Sequence, residues 1–200
     1  MSETFAGLQA WRLVTFQFLH GSLLHLGMNC LGLWVFGSMV ERRLGKARTL
    51  ALYLVCGFGG AFGFVLLFAT GIVRATSTTP LIGASAGVFG LIAAAMRLFP
   101  NRILHLVFPP IDITVFRVGA VYLALAAFIV LAHGNRLDAN AGGEAAHLGG
   151  AAVGWLLAGH LALLAWADRI VPPQWRMPGH RHQTSRDTPM PKGWKYHDYR

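Results

Sequence analysis

Acidic residues, and charged residues of either sign, are scarce in this chain of 200 residues. Asp and Glu together number 8, and all charged residues make up 12% of the sequence, about half the share of an ordinary soluble domain. With 54% hydrophobic residues and 24 glycines, this composition predicts a membrane protein of one domain. Cys30 and Cys56 lie in apolar runs, a placement that excludes a disulfide framework or a cysteine zinc site.

The scarcity of carboxylates also narrows the chemistry. The glutamates are Glu3, Glu41 and Glu144, there is no H-E-x-x-H, and no aspartate lies in the core of an apolar run. A zinc protease would need such ligands, so no metal site is expected. A small transporter stays a weaker alternative. The short third segment would fit the broken helix that transporters use near the membrane midplane, but this chain has no carboxylate inside a predicted span to couple protons.

Five apolar segments follow one another along the chain, at about 23–40, 49–73, 81–96, 113–132 and 145–167. A membrane-spanning helix needs roughly 20 residues, so four segments qualify directly and the third is short. The predicted fold class is all-α, a polytopic membrane bundle of five transmembrane helices. We expect an external loop and N-terminal tail at 1–22, the membrane domain at 23–168, and a basic, disordered cytoplasmic tail at 169–200.

The basic residues predict the orientation. Of the 17, only Arg12, Arg74 and Arg136 fall on one side of the predicted spans, and the other fourteen fall on the opposite side. The positive-inside rule then places the C-terminus in the cytoplasm of a multi-pass cell-membrane protein. Because these charges lie in short loops and a tail rather than on a folded face, the expected partner is the lipid bilayer and not nucleic acid.

The short third segment opens with Gly83-Ala84-Ser85-Ala86-Gly87. Its length of about 24 Å is less than a hydrocarbon core of about 30 Å, so the helix should begin below the outer surface, after a loop that dips into the protein. Ser85 would lie in the first helical turn, where free N–H groups and the helix dipole favour a developing anion. The position suits a nucleophile, although a serine in a small-residue packing motif is the alternative.

Two further polar clusters interrupt apolar segments. His147 precedes Gly150 and Gly154 on one helix face, and an ionisable residue inside a span is a functional candidate, although a hydrogen-bonded packing residue or a cation at the membrane boundary would also fit. His25 and Asn29, four residues apart, share a face of the first segment. They could stabilise an oxyanion or make interhelical hydrogen bonds.

Chain direction links the three clusters. Odd-numbered segments run the same way through the membrane, and Ser85, His147 and the pair His25–Asn29 each lie near the outer end of an odd segment. Side chains at one depth on one face can meet. The sequence therefore predicts a constructed site for acyl transfer, with a serine and a histidine at its centre.

These motifs resemble the rhomboid family of intramembrane serine proteases, of the bacterial type. The resemblance covers roughly residues 11–166. It rests on the order and spacing of Trp11-Arg12, His20, His25, Asn29, Glu41-Arg42-Arg43-Leu44-Gly45, the serine motif, Phe99-Pro100-Asn101-Arg102, and His147 with its two glycines.

The resemblance implies that Ser85 is the nucleophile and His147 the general base, in a dyad without a carboxylate. His25, Asn29 and the Ser85 N–H would form the oxyanion hole. The supporting residues would be His20, Phe89, Gly83 and Gly150. Transmembrane segments of other membrane proteins would be the substrates, no cofactor would be needed, and the fourth segment would be the lateral gate.

The chain departs from the family's pattern at two residues and at its front. Ala86 replaces the usual glycine after the serine, so its methyl group could crowd the oxyanion region. Phe89 replaces a common tyrosine, and we expect its ring to keep stacking on the histidine. The family core has six spans, so we expect the first span to be encoded upstream of Met1; a five-span variant is the alternative. A catalytically impaired member that binds transmembrane helices is the alternative function.

Overall fold

A computed structural model describes residues 11–76, 81–106, 110–137 and 140–175, and these are mostly helical. In chain order the helices are α1 (Arg12–Thr15), α2 (Leu23–Gly32), α3 (Ser38–Ala69), α4 (Ser85–Leu98), α5 (Val115–His133) and α6 (Ala141–Gly159). A π-helical turn, Leu33–Gly37, joins α2 to α3. Short 3-10 helices cover Phe16–Phe18, Leu161–Arg169 and Pro173–Trp175.

One glycine separates the first two apolar segments, where the sequence predicted a charged loop. Ser22 caps α2 by accepting a hydrogen bond from the N–H of His25, and helical backbone then continues to Ala69. Within it only Gly45 is non-helical, with φ 78° and ψ 164°. Glycine adopts this conformation at no steric cost because it lacks a Cβ. The basic stretch is therefore helical on both sides of a single break.

Helices α4 and α6 lie side by side and run in the same direction. A Cβ added to Gly150 would overlap the carbonyl oxygen of Ala86, and one added to Gly154 would overlap that of Gly90. Glycine lets the two backbones approach this closely, as small residues do between membrane helices. This contact brings the N-terminal ends of α4 and α6 together.

The second half of α3 packs against α6 in the opposite direction. Gly59 faces Val153, whereas Gly63, further along α3, faces Ala145 and the backbone of Gly149, earlier in α6. The antiparallel contact again depends on glycines. Helix α4 has close neighbours on two sides, and its residues 91–96 are buried.

The predicted number of five membrane spans is not confirmed by the lengths of the described helices. Among the described residues, Leu23–Ala69 and Val115–His133 are long and apolar enough to cross a membrane, and a third span exists if the bent pair Ala141–Gly159 and Leu161–Arg169 counts as one. Helix α4 has only 14 residues. Each predicted segment is helical over most of its length, but five spans are not confirmed.

The last predicted segment, 145–167, is not one helix. Helix α6 already begins at Ala141 and ends at Gly159, after which the chain bends by 88° into the 3-10 helix Leu161–Arg169. A Cβ on Gly159 would overlap the guanidinium group of Arg97, which also donates a hydrogen bond of 3.0 Å to the carbonyl oxygen of Trp155. Glycine at position 159 leaves room for this guanidinium group at the bend.

The 3-10 helix after the bend belongs to the packed body of the protein. Leu164 and Ala167 are buried, and Asp168 accepts a hydrogen bond of 2.8 Å from Nε of Arg48. The predicted tail begins at residue 169, and most of it, from 176 onward, lies outside the described residues, as do residues 1–10 of the predicted external loop. Both predictions therefore stay predictions.

A small antiparallel sheet is a departure from the all-α prediction. Strands β1 (Ile103–Leu106) and β2 (Ile111–Thr114) pair with Ile103 opposite Thr114 and Leu106 opposite Ile111. The β-branched residues of β2 favour extended backbone. Thr114 then caps α5 by accepting a hydrogen bond from the N–H of Arg117.

Large apolar side chains cover the outside of the helices. Leu23, Trp34, Phe62, Val121 and Leu131 are each more than 60% exposed. A soluble protein rarely exposes so much apolar surface, whereas in a bilayer such side chains face lipid tails. The chain is a membrane protein.

Candidate active site

Ser85 is the first residue of α4, as the sequence predicted for the first helical turn. The residue before it, Ala84, is the N-cap and offers no side-chain hydrogen bond. The N–H groups of the first turn consequently have no partner inside the helix. Together with the positive end of the helix dipole, they favour negative charge at this end of α4.

The N-terminal segment holds the turn before Ser85 in place. The N–H of Gly83 donates to the carbonyl oxygen of Phe16 at 3.0 Å, and the N–H of Ala84 donates to Nε2 of His20 at 3.5 Å. Gly83 has φ +116°, and a Cβ on it would lie 2.7 Å from Nε2 of His25. Both the backbone conformation and the nearby imidazole require glycine here.

Ser85 and His147 form a hydrogen bond. The Ser85 Oγ lies 2.7 Å from Nε2 of His147, across 62 positions of the chain. The parallel packing of α4 on α6, which depends on Gly150, brings the two side chains together. The sequence-predicted pair therefore meets with the separation that proton transfer requires.

An aromatic ring covers one face of the His147 imidazole. Phe89 stacks on it with ring centroids 4.1 Å apart and an interplanar angle of 5°. The edge of Phe89 in turn meets Tyr122 of α5 at 6.1 Å and 75°. The contact expected of Phe89 is present without the tyrosine hydroxyl, and it fixes the plane of the imidazole.

A carboxylate, missed by the sequence reasoning, faces the other nitrogen of the imidazole. Oε2 of Glu144 lies 2.8 Å from Nδ1 of His147, three residues along the same helix, and their side chains are only 17% and 14% exposed. The arrangement differs from the carboxylate-free pair implied by the resemblance. The spacing of Glu144 and His147, three residues apart, could have predicted this contact on a helix. It was overlooked because the predicted helix began at residue 145.

The two residues expected to stabilise an oxyanion lie on α2 beside Ser85. His25 contacts Gly83, and its ring meets the ring of His20 edge-on at 5.1 Å. Asn29 is buried and donates from Nδ2 to the carbonyl oxygen of His25 at 3.1 Å. An amide nitrogen carries a second N–H, which this bond does not use.

Ala86 does not crowd this region, which corrects the expectation for its methyl group. The side chain is buried, and a Cβ added to Gly60 of α3 would lie 2.5 Å from the Ala86 methyl carbon. Ala86 belongs to an apolar cluster with Phe64 and Ala146. Its methyl group thus points toward α3, in space that the missing side chain of Gly60 provides.

The site opens into a cavity of about 930 Å³. His25, Asn29, Ser85 and His147 line one part of it. Apolar side chains line much of the rest, and they come from α2 (Met28, Leu31), the π-helical turn (Trp34), α4 (Val88, Phe89, Ile92) and α5 (Val118, Tyr122). The polar groups therefore sit beside a long apolar wall, in a volume typical of ligand sites.

Comparison with known proteins finds one family. The model of the Rhomboid domain matches residues 7–163. RHOMBOID-like protein 4 of Arabidopsis thaliana is 34% identical over 158 residues, and Rhomboid protein 1, mitochondrial, of Saccharomyces cerevisiae is 35% identical over 140 residues. These alignments cover 76% and 70% of this chain. Rhomboid protease GluP of Bacillus subtilis is 36% identical over 86 residues, which is 43% of this chain and 15% of GluP.

The matched relatives are longer proteins and come from several sources. The chain spans 34% of the Arabidopsis protein and 38% of the yeast protein. They include plant, mitochondrial and bacterial proteins, so the bacterial type stays a prediction. No solved structure matches the chain.

Proposed function

The chain belongs to the rhomboid family, and from that premise we propose that it is an intramembrane serine endopeptidase acting on transmembrane segments of other proteins. One observation carries the proposal: the hydrogen bond of 2.7 Å between Ser85 Oγ and His147 Nε2. A serine hydroxyl is a weak nucleophile until an adjacent base accepts its proton. The bond lies at a helix start and beside a cavity, where a peptide carbonyl could enter.

In the proposed reaction, Ser85 and His147 act as a catalytic dyad. Ser85 Oγ attacks the carbonyl carbon of the scissile peptide bond while Nε2 of neutral His147 takes the hydroxyl proton. The carbonyl oxygen becomes an oxyanion. Collapse of this tetrahedral intermediate breaks the C–N bond, and the imidazolium returns its proton to the leaving amine. Water then hydrolyses the acyl-enzyme by the same sequence of steps, with His147 again the base.

The oxyanion is proposed to bind at the start of α4. The proposed donors are the backbone N–H of Ser85, in the first turn of α4, and the side chains of His25 and Asn29, which line the same cavity. Donors of this kind matter because they are already oriented when charge develops, and removing one typically lowers kcat about 10²–10³-fold. His20, Gly83 and Gly150 support the site through the hydrogen bonds and close approaches described above.

The proposed substrate class follows from the apolar wall of the cavity. Side chains of α2 and α5 flank the polar groups, so an apolar segment could lie along them while its backbone reaches Ser85. Helix α5 is the proposed lateral gate, because it is the less buried of the two spans. Only 22% of its most apolar stretch is buried inside the protein, against 50% for the most apolar stretch of Leu23–Ala69. The proposed site faces outward, with the C-terminus in the cytoplasm.

A cleavage assay with matched variants tests this proposal. Ser85→Ala and His147→Ala should abolish cleavage of a transmembrane reporter and labelling by a fluorophosphonate, with insertion unchanged. Ser38→Ala is the control, because the Ser38 hydroxyl donates only to the carbonyl oxygen of Val35 in its own helix. Cleavage that persists in Ser85→Ala would refute the assignment.

A second function is supported by the cavity alone. The same apolar wall could hold a transmembrane helix without cleaving it, as in a catalytically impaired member of the family. Such a protein would bind the reporter but would leave Ser85 unreactive. Fluorophosphonate labelling therefore separates the two functions.

A further inference from the structure

The carboxylate of Glu144 has no role in a reaction carried by a serine and a histidine alone. It nevertheless lies 2.8 Å from Nδ1 of His147, on the side of the ring opposite to Ser85. The other carboxylates that the structure describes lie elsewhere. Asp112 is 65% exposed beside His105, Asp168 pairs with Arg48, and Glu41 lies in the first turn of α3.

Helix geometry places this carboxylate beside the imidazole. Glu144 lies in the first turn of α6, where the dipole favours a negative charge. Its backbone N–H donates to the carbonyl oxygen of Asn140 at 3.2 Å. Because Glu144 and His147 are three residues apart on one helix, their side chains meet without help from another element.

An ionised carboxylate can only accept hydrogen bonds. Nδ1 of His147 must therefore carry the hydrogen, which leaves the lone pair of Nε2 facing the Ser85 hydroxyl. The Phe89 ring fixes the imidazole plane but leaves the ring free to turn within that plane. Glu144 removes this second freedom, so the two neighbours together define which nitrogen meets the serine.

We propose that Glu144 is a positioning residue, which orients His147 and holds the tautomer that accepts the proton of Ser85. The inference rests on the proposed hydrolase function and adds a third residue to the pair of Ser85 and His147. The same carboxylate would stabilise the imidazolium formed during attack, since the positive charge then lies beside it.

Kinetics of Glu144→Gln test the role. The amide can donate to Nδ1 as well as accept from it, so it no longer selects the productive tautomer and also stabilises the wrong one. We expect kcat and the rate of fluorophosphonate labelling to fall about 10- to 100-fold, with KM within about twofold, because the apolar wall is unchanged. Glu144→Asp, which keeps the charge on a shorter side chain, should recover part of the rate.

Glu41→Gln is the matched control, because it makes the same change at a glutamate of α3, twelve residues after Asn29 in the chain. It should cleave and label at the wild-type rate. Wild-type labelling by Glu144→Gln would overturn the inference and leave the proposed function intact. A rate loss that only follows a loss of folded protein, measured by thermal unfolding, would also overturn it. A wild-type chain that neither cleaves nor labels would overturn the proposed function itself, and the role of Glu144 with it.

Discussion

Replacing Gly83 by alanine perturbs the site through a single methyl group. The new Cβ would lie 2.7 Å from Nε2 of His25 and 3.6 Å from Ser85 Oγ. To restore an ordinary contact of 3.4 Å, the imidazole or the turn must move by 3.4 − 2.7, roughly 0.7 Å. Alanine at φ +116° adds backbone strain of about 1–3 kcal/mol.

The expected catalytic cost follows from this displacement. A misplacement of about 1 Å can cost about 10²-fold in rate, and loss of an oxyanion donor has a similar effect. We therefore expect kcat to fall about 10- to 100-fold in Gly83→Ala. Initial rates of reporter cleavage and the rate of fluorophosphonate labelling measure the effect, and thermal unfolding separates it from a loss of folded protein.

Gly27→Ala is the control for this experiment. It adds the same methyl group to α2, two residues beyond His25, where a Cβ would have no other atom within 4 Å. Its cleavage rate should stay within about twofold, with a stability gain of about 0.5–1 kcal/mol from the more helix-favouring residue. If Gly83→Ala cleaves and labels like the wild type, the reasoning that His25 and this turn position the reaction is wrong.

Substitutions at three further residues test the surroundings of the site. Phe89→Leu should lower kcat about 3- to 10-fold, because it removes a ring contact worth about 0.5–1.5 kcal/mol, whereas Phe89→Tyr should keep the wild-type rate; reporter cleavage measures both. Gly154→Ala should lower the free energy of unfolding by about 1–3 kcal/mol, because its Cβ would overlap the Gly90 backbone; thermal unfolding checks it. Arg48→Ala should lower the free energy of unfolding by about 1–3 kcal/mol, because it removes the ion pair with Asp168; this range allows for the partial exposure of both side chains. The rate of Ser85 labelling should not change.

Local patterns were enough to predict the centre of the site. The polar interruptions at Ser85 and His147, combined with the parallel course of odd-numbered segments, predicted that the two side chains would meet, and their hydrogen bond is present. The beginning of α2 at Leu23 was also predicted, because the first apolar run begins there; the structure adds that Ser22 caps the helix. These features depend on nearby residues or on the membrane's constraint on direction.

Features that depend on contacts between distant residues were missed. The bend after Gly159 lies where the side chain of Arg97 from another helix packs on α6, a contact that hydropathy cannot reveal. The direction of the Ala86 methyl group depends on Gly60 in the same way. Glu144 was missed because the predicted apolar segment began at residue 145, whereas the helix already begins at Ala141.

The glycine contacts between α3, α4 and α6 have a consequence for how this sequence can evolve. Where backbone meets backbone, as at Gly150 and Gly154, no neighbouring rotamer can compensate for an added carbon. The apolar wall from α2 and α5 consists of long side chains that can exchange for one another. Related sequences should therefore vary along the wall while these glycines stay fixed, so that preference for a target can diverge without rebuilding the chemistry.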